Sequence, residues 1–382
     1  MKPGSPTSRN ARRPREASGA AGTAEARSRD RPDAGARPRY WIREVALALL
    51  VAALGWTHPL RPVPVPAARA EEPANVRVAP VTDGPAGVPA ISMTPAAVEG
   101  KGGTTHKLWV PTGVESEGRP NVWVHVPARF DPARSEVRLV VIFRGHSNCI
   151  DSYVSPTGLP CVNGREARTG YDVARQVERS GTRSIVILPE LAFDVKSSDA
   201  GPLATGGFRA FLRDVLRELA PVVGDHAIGD VQGITIVASS GGYEAALPIL
   251  QSTRLPIDEL VLFDSLYVDN ATFSRFVVGH EEAFLPGARA PRRLVLLYCK
   301  AQRSQSEVFG RRVEVAILGR SPAAGREAVR FEPRPGVPEM DDLRASVAIH
   351  NVALEHDEVV ARYLWQVLHV AEEAREARDA TP

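Results

Sequence analysis

The feature that most constrains this chain is a change of pattern near residue 240. The β-branched and apolar run Ile234-Thr-Ile-Val-Ala leads into Ser-Ser-Gly-Gly, and a helix-compatible apolar stretch starts at Tyr243. In the frame Ala238-x-Ser240-x-Gly242, a small residue stands two positions before and two positions after the serine. This pattern is typical of the sharp strand-to-helix turn that presents a nucleophile. Its flanks must be small because the turn passes close to neighbouring backbone, and the central residue is strained.

Such a turn would hold the Ser240 hydroxyl above a sheet, at the positive end of the next helix. The Gly241 amide would then be directed at a developing oxyanion. Ser239 is the alternative nucleophile, but its frame places Val237 where a small residue is needed. The same letters also fit a buried strand followed by a glycine-rich turn, so the surrounding sequence has to decide.

Charge is distributed unevenly along the 382 residues. Residues 1–70 carry 13 Lys and Arg against 5 Asp and Glu, whereas the remainder carries 34 against 40. The basic character therefore belongs to the N-terminal segment. The remainder has no long basic stripe and no interleaving of aromatic and basic residues of the kind that binds phosphate backbones. We expect no nucleic acid partner.

The N-terminal third resembles a leader and a linker. Residues 1–39 are rich in Arg, Pro, Ala, Gly and Ser, and are predicted to be a disordered basic segment. The range 40–70 holds an uncharged apolar run, too short for a comfortable transmembrane helix but suited to a signal-peptide core, and Ala68-Arg-Ala offers a cleavage site. We predict export, with an uncleaved signal anchor as the alternative. Membrane contact is expected only through this segment.

Three further segments complete the predicted organisation. A Pro-, Gly- and Ala-rich linker is predicted over 71–104, a folded domain over 105–372, and a charged tail over 373–382. The sequence carries no feature that sets an oligomeric state.

The three cysteines suggest structure rather than metal binding. Cys149 and Cys161 are close in sequence and flank a loop, so they can form a disulfide outside the cytoplasm. Cys299 would then be a free thiol at the end of a predicted buried strand. No C-x-x-C pair or His/Cys cluster has the spacing of a zinc site, so no metal is predicted.

Strands and helices alternate through the predicted domain. Apolar runs predict strands at 122–127, 137–143, 184–188, 234–239, 259–263, 293–298 and, more weakly, 328–332. Helices are predicted at 171–179, 208–219, after the elbow, near 306–318, and from 360 as the closing helix. Continuous apolar strands separated by helices indicate an α/β fold, with a mostly parallel sheet between two helical layers.

Ligands of such sheets bind beyond the C-terminal ends of the strands. Four polar features follow predicted strands here: the Gly145-His146 turn, Glu190, Ser240 and Asp264.

Residues 105–372 resemble the α/β-hydrolase family. The resemblance rests on this element order, the Ala238–Gly242 elbow, the Arg144-Gly145-His146 turn after an early strand, and a late histidine. The resemblance implies a serine hydrolase whose nucleophile, acid and histidine follow in that order along the chain.

By that resemblance Ser240 is the nucleophile and Asp264 the acid that orients the base. The family more often places its acid after the next strand, where this chain has Cys299-Lys-Ala-Gln. Asp264 is therefore an allowed but less common position, and it is equally compatible with a turn-capping role. Asp269 and Glu307 are the alternatives.

The base is expected on the loop before the closing helix. His356 precedes acidic residues typical of a helix start, which favours it, and His350 is the alternative base.

The resemblance implies oxyanion donors at the Gly241 amide and in the turn of Gly145 and His146. His146 and Asn148 are candidate substrate contacts or turn-stabilising side chains, and Glu190 is a candidate pocket residue or a cap.

These residues predict an exported serine hydrolase that acts on a carboxylic ester or a related acyl bond, without a cofactor. Its partner would be a small-molecule or acyl substrate. The alternatives are a hydrolase fold kept as an inactive binding module, which the missing acid after the later strand favours, and a peptidase or amidase acting on peptide or cell-wall substrates.

Overall fold

The computed structural model describes residues 102–113, 120–162, 166–192, 198–267 and 270–380. The predicted basic segment, the signal segment and nearly all of the linker lie outside these residues. Within them, none of the helices combines the length and the apolar character needed to cross a bilayer.

Nine strands form one sheet in the order β1-β2-β4-β3-β5-β6-β7-β9-β8. β2 pairs antiparallel with β1 and with β4, and the other neighbouring pairs are parallel. The strands are β1 (Thr104–Leu108), β2 (Val122–Val126), β3 (Val137–Phe143), β4 (Ile185–Pro189), β5 (Val231–Ser239), β6 (Ile257–Phe263), β7 (Arg293–Tyr298), β8 (Val329–Gly336) and β9 (Val347–Val352).

Helices cover both faces of the sheet. They are α1 (Ile150–Val154), α2 (Val173–Ser180), α3 (Phe208–Val223), α4 (Tyr243–Ser252), α5 (Asn270–Val277), α6 (Arg303–Arg320), α7 (Pro322–Ala328), α8 (Met340–Leu343) and α9 (Glu358–Asp379). Buried side chains of α3, α4, α5 and α6 pack on one face, and those of α1, α2 and α9 pack on the other.

The central strands alternate their side chains between these two cores. In β3, Leu139, Val141 and Phe143 belong to the first core, whereas Val140 and Ile142 belong to the second. Because both faces are covered, the strands are apolar at nearly every position, which is why sequence patterns found them. The predicted α/β class, a mostly parallel sheet between helical layers, is confirmed.

All seven predicted strands are present, and two strands were missed. β1 lies at the edge of the sheet and has the polar sequence Thr-Thr-His-Lys-Leu. β9 lies between β7 and β8, and it contains His350 and Asn351. A buried strand with two polar residues in succession lacks the apolar run that identified the others.

The closing helix continues past the predicted end of the domain. α9 runs to Asp379, and Glu372 and Arg375 are buried. Arg375 donates to Ser184 and Thr235, so these charges are held inside the protein. The helix therefore runs through the predicted boundary at 372 and into the range predicted as a charged tail, and partners distant in sequence hold its charged residues.

Candidate active site

The elbow at Ser240 has the strained geometry that its sequence predicts. Ser240 follows β5 with φ = 51°, in the left-handed region, and α4 begins at Tyr243. A Cβ at Gly242 would lie 2.3 Å from the carbonyl oxygen of Phe143, so only glycine fits there. Ser265 donates from its hydroxyl to the Ser240 carbonyl oxygen at 2.6 Å and fixes the turn.

Asp264 lies at the end of β6, the strand next to β5. It is fully buried, and its φ of 45° is also in the left-handed region. Its amide donates to the carbonyl oxygen of Leu297 at 2.7 Å. A buried carboxylate held at a strained position is typical of a functional site rather than of a simple turn cap.

The structure brings His356 to this carboxylate. His356 Nδ1 lies 2.5 Å from Asp264 Oδ2, on the loop between β9 and α9. The hydrogen bond to Asp264 raises the pKa of His356 above its ordinary value, although burial opposes the rise. A carboxylate on Nδ1 leaves Nε2 as the nitrogen that can exchange a proton with a hydroxyl.

His350 does not reach this site. It lies inside β9 and is buried, and burial lowers its pKa. The expectation that it sits on the loop before the closing helix was wrong, because that stretch is a strand. Of the alternative acids, Glu307 pairs with Arg303 on α6 at 2.7 Å, and Asp269 lies outside the described residues.

Cys299, which the sequence predicts only as a free thiol at the end of a buried strand, is a component of the site. Its Sγ lies 2.7 Å from Asp264 Oδ2, and its amide donates to Asp264 Oδ1 at 2.9 Å. Burial raises the pKa of the thiol to about 12, so the sulfur keeps its proton and donates it. Asp264 and Cys299 directly follow the neighbouring parallel strands β6 and β7, and that adjacency was a signal in the sequence.

Among the described residues, the ligand atoms of Asp264, Cys299 and His356 lie within 4.8 Å of one another and form a group that could hold a metal ion. The contacts of 2.5 and 2.7 Å are hydrogen-bond distances. Sulfur and nitrogen ligands of a tetrahedral zinc ion stand roughly 3.5 Å apart, so a metal would have to spread the group. The donor set fits proton-sharing better than metal binding.

The turn after β3 lies against the nucleophile. A Cβ at Gly145 would be 2.9 Å from Ser240 Cβ and 3.3 Å from Ser240 Oγ. A Cβ at Gly241 would be 2.0 Å from the ring of His146. Both glycines therefore allow the turn and the elbow to approach each other, which is the arrangement that two backbone oxyanion donors require.

Glu190 supports this turn and does not serve a pocket. Its Oε1 accepts from Arg144 at 2.6 and 2.9 Å and from the Leu191 amide, and its Oε2 accepts from the Ile150 amide. Arg144 is itself buried and donates to the Gly145 carbonyl oxygen. Both carboxylate oxygens of Glu190 are occupied within the fold, which agrees with the capping alternative.

Asn148 is also structural. Its side chain donates to the Thr169 carbonyl oxygen and accepts from the Cys149 amide, and it is buried. Cys149 is bonded to Cys161, as its position in the sequence allowed. The amide and the disulfide together hold the loop that follows the turn.

Aromatic side chains border the site, and sequence patterns did not single them out. Tyr267 stacks on Tyr243 with ring centroids 5.6 Å apart and meets His356 edge-on at 6.5 Å. Burial raises the pKa of Tyr267, and its side-chain interaction with Ser240 opposes part of that rise. His146 Nε2 lies 3.1 Å from Glu244, which orients the ring over the elbow. Tyr267 thus lies beside both His356 and Ser240.

The arrangement can perform acyl transfer. It supplies a hydroxyl on a strained elbow, an imidazole oriented by a buried carboxylate, and backbone amides beside the hydroxyl. No described residue needs a cofactor to complete these roles.

No family model and no curated protein matches the chain. Among solved structures, a mutant feruloyl esterase module from Clostridium thermocellum, complexed with sinapinate, is 12% identical; the match covers 71% of this chain and 88% of that one, with a TM-score of 0.37. An esterase from Rhizomucor miehei is 12% identical over 69% and 83%, with a TM-score of 0.35. An S-formylglutathione hydrolase from Agrobacterium tumefaciens is 15% identical over 72% and 96%, with a TM-score of 0.34. Likeness of this degree says nothing about the substrate of this chain.

Proposed function

We propose that this chain, which has the α/β-hydrolase fold, is an exported serine hydrolase that cleaves a carboxylic ester or a related acyl bond. The observation that carries the proposal is the 2.5 Å contact between His356 Nδ1 and the buried Asp264, beside the left-handed elbow at Ser240. In this proposal Ser240 attacks the acyl carbon while His356 Nε2 takes its proton. Asp264 holds the imidazole in the required tautomer and stabilises its charged form.

The backbone amides of Gly241 and of the turn at Gly145 and His146 would receive the negative charge on the carbonyl oxygen. Collapse of the tetrahedral intermediate would release the alcohol, which takes the proton from His356. Water, activated by the same imidazole, would then release the acid and free Ser240. Atoms and charges balance over the two steps without any cofactor.

The acid position had been the main support for the inactive-module alternative. Asp264, after β6, already contacts the histidine, so no acid is required after β7. That alternative loses its support. Cleavage of an amide remains a matter of leaving group, which this set of side chains does not determine.

Export is part of the proposal and has two supports. One is the N-terminal apolar run followed by Ala68-Arg-Ala. The other is the disulfide between Cys149 and Cys161, since such bonds persist in oxidising compartments.

Hydrolysis assays with p-nitrophenyl esters of different chain length, beside peptide p-nitroanilides, test the proposal. Wild type should cleave at least one ester, Ser240→Ala should lose that activity by at least about 10³-fold, and Ser239→Ala should retain it. Loss with Ser239→Ala and retention with Ser240→Ala would overturn the assignment. Cleavage of the anilides with no cleavage of the esters would move the enzyme to the amidase class.

A further inference from the structure

A cleft lies at the N-terminal ends of the central strands, whereas the candidate active site lies at their C-terminal ends. The cleft has a volume of about 1070 Å³, and Gln232, Ile257 and Arg292 line it where β5, β6 and β7 begin. Ser240 and Asp264 follow the other ends of β5 and β6. At about 3.3 Å per residue, the nine residues of β5 separate the two sites by about 30 Å.

Positive charge is concentrated in this cleft. Its lining includes five arginines and one histidine, but the only acidic side chain among its lining residues is Asp258. We refer to it as the basic cleft, and its cationic residues are Arg138, Arg275, Arg289, Arg292, Arg378 and His280. They come from β3, α5, the segment before β7, and the end of α9. Arg289 and Arg292 are close in sequence, and folding brings the other cationic residues to them.

Most of these arginines form no ion pair. Arg138 binds Asp258 at 2.7 Å. In the part of the chain that the structure describes, no carboxylate oxygen lies within 4.0 Å of the guanidinium groups of the other four, Arg275, Arg289, Arg292 and Arg378.

The unpaired guanidinium groups are held at the cleft by neutral contacts. Arg275 donates to Thr272 Oγ1 at 2.9 Å. Arg292 donates to the Phe276 carbonyl oxygen and lies 5.3 Å from the centre of the Phe276 ring. These contacts fix the direction of the two groups but do not neutralise their charge.

The positive charges of the arginines in the basic cleft repel one another. Partial burial lowers the pKa of Arg378, the nearby positive charges of Arg138 and Arg375 lower it further, and Asp258 and Asp379 raise it. Partial burial also lowers the pKa of Arg292, and the negative charge of Asp258 opposes that change. Guanidinium groups remain charged at neutral pH even so, and their repulsion is relieved when an anion enters.

We propose that the basic cleft binds a ligand carrying two or more adjacent phosphate groups. One monovalent anion cannot offset four unpaired guanidinium groups, whereas a diphosphate carries several negative charges and accepts paired N–H donors from planar guanidinium groups. The cleft also has apolar walls, which include Leu250, Leu255 and Phe276, so a diphosphate attached to an apolar chain fits the same site. The proposal does not depend on the activity proposed above.

Calorimetric titration of the full chain with inorganic pyrophosphate, inorganic phosphate and farnesyl diphosphate tests this. The test variant is Arg289→Gln/Arg378→Gln, and the control is Arg311→Gln/Arg312→Gln, which makes the same charge change at exposed positions of α6 outside the cleft. Pyrophosphate should bind wild type and the control within about twofold of each other. The test variant should bind at least about tenfold more weakly.

Several outcomes separate the sources of the diphosphate. Tighter binding of farnesyl diphosphate than of pyrophosphate supports a ligand with an apolar chain, and equal binding supports the phosphate groups alone. Pyrophosphate binding no tighter than that of inorganic phosphate overturns the proposal, and so does equal weakening by the test and control variants. Circular dichroism of both variants, whose substituted side chains are exposed, checks that each is folded.

Discussion

Removal of the Cys299 thiol should shift the pH at which the enzyme becomes active. The Asp264 carboxylate receives three donors, and two of them share one oxygen: His356 Nδ1 at 2.5 Å and Cys299 Sγ at 2.7 Å. A Cys299→Ala substitution removes the thiol donor but keeps the backbone amide on the other oxygen. The carboxylate then directs more of its negative charge at the imidazole.

The size of the shift follows from the strength of that hydrogen bond. Bonds to charged groups contribute about 1.5–3 kcal/mol, and a thiol is a weak donor, so about 1.5 kcal/mol is appropriate. If about half of this energy goes to the hydrogen bond with His356, the imidazolium form is stabilised by about 0.7 kcal/mol. This stabilisation corresponds to a change of about 0.5 unit in the pKa of His356. The pKa of His356 should rise in the variant, because Asp264 already raises it in wild type and would then interact with the imidazolium more strongly.

The assay is the pH dependence of kcat/KM for ester hydrolysis. In Cys299→Ala the acidic limb should move to higher pH by about 0.5 unit. In Cys299→Ser, which keeps a donor, the limb should stay within about 0.2 unit of wild type. An unmoved or downward-shifted limb in the alanine variant would refute the reasoning, and so would equal shifts in both variants.

Three further predictions concern the base, the elbow and the disulfide. The activity of wild type should fall as the pH drops through a pKa above the usual 6.5 of histidine, because protonated His356 cannot accept a proton; a midpoint at or below 6.5 in a kcat/KM profile would contradict the pairing with the acid. Gly242→Ala places a methyl group 2.3 Å from the Phe143 carbonyl oxygen, so it should cost about 1–3 kcal/mol of unfolding free energy in urea titrations and reduce ester hydrolysis; unchanged values would mean that the turn can relax. The Cys149→Ala/Cys161→Ala variant opens a loop between cysteines 12 positions apart, and the free energy of unfolding should fall by about 3 kcal/mol in the same titration, whereas no loss would show that the bond adds nothing to the fold.

Much of the sheet was predictable because its central strands are buried on both faces. β3, β5, β6 and β7 are nearly continuous apolar runs, so each was found close to its true position. β9 was missed because His350 and Asn351 interrupt its apolar pattern, although both are buried. The periodicity and composition of a segment do not indicate that tertiary contacts bury one of its polar side chains.

Parts of the site were predictable because backbone strain or position along the chain restricts which residue types can occur there. Small residues around Ser240 follow from the close approach of Phe143 and His146, and the loop before a helix favoured His356. The pairing of Glu190 with Arg144 was not predictable, because the two residues are 46 positions apart and no local pattern joins them. The contact of Cys299 with Asp264 was missed for a different reason: both residues follow neighbouring strands, and the sequence analysis did not compare residues across strands.

The basic cleft shows the same dependence on distant contacts. Arg138 and Arg378 line one cavity, yet they stand near opposite ends of the described chain. The charge count found only the N-terminal segment to be basic, because it summed residues 71–382 as one range, with 34 Lys and Arg against 40 Asp and Glu.

Mapping a fluorophosphonate adduct tests the central claim most directly. Mass spectrometry of wild type after labelling should place one adduct on the peptide that contains Ser240, and His356→Ala should react at least about 10²-fold more slowly. Ser240→Ala should carry no adduct while keeping its circular dichroism spectrum. An adduct on another residue, or continued labelling of the folded Ser240→Ala protein, would contradict the account.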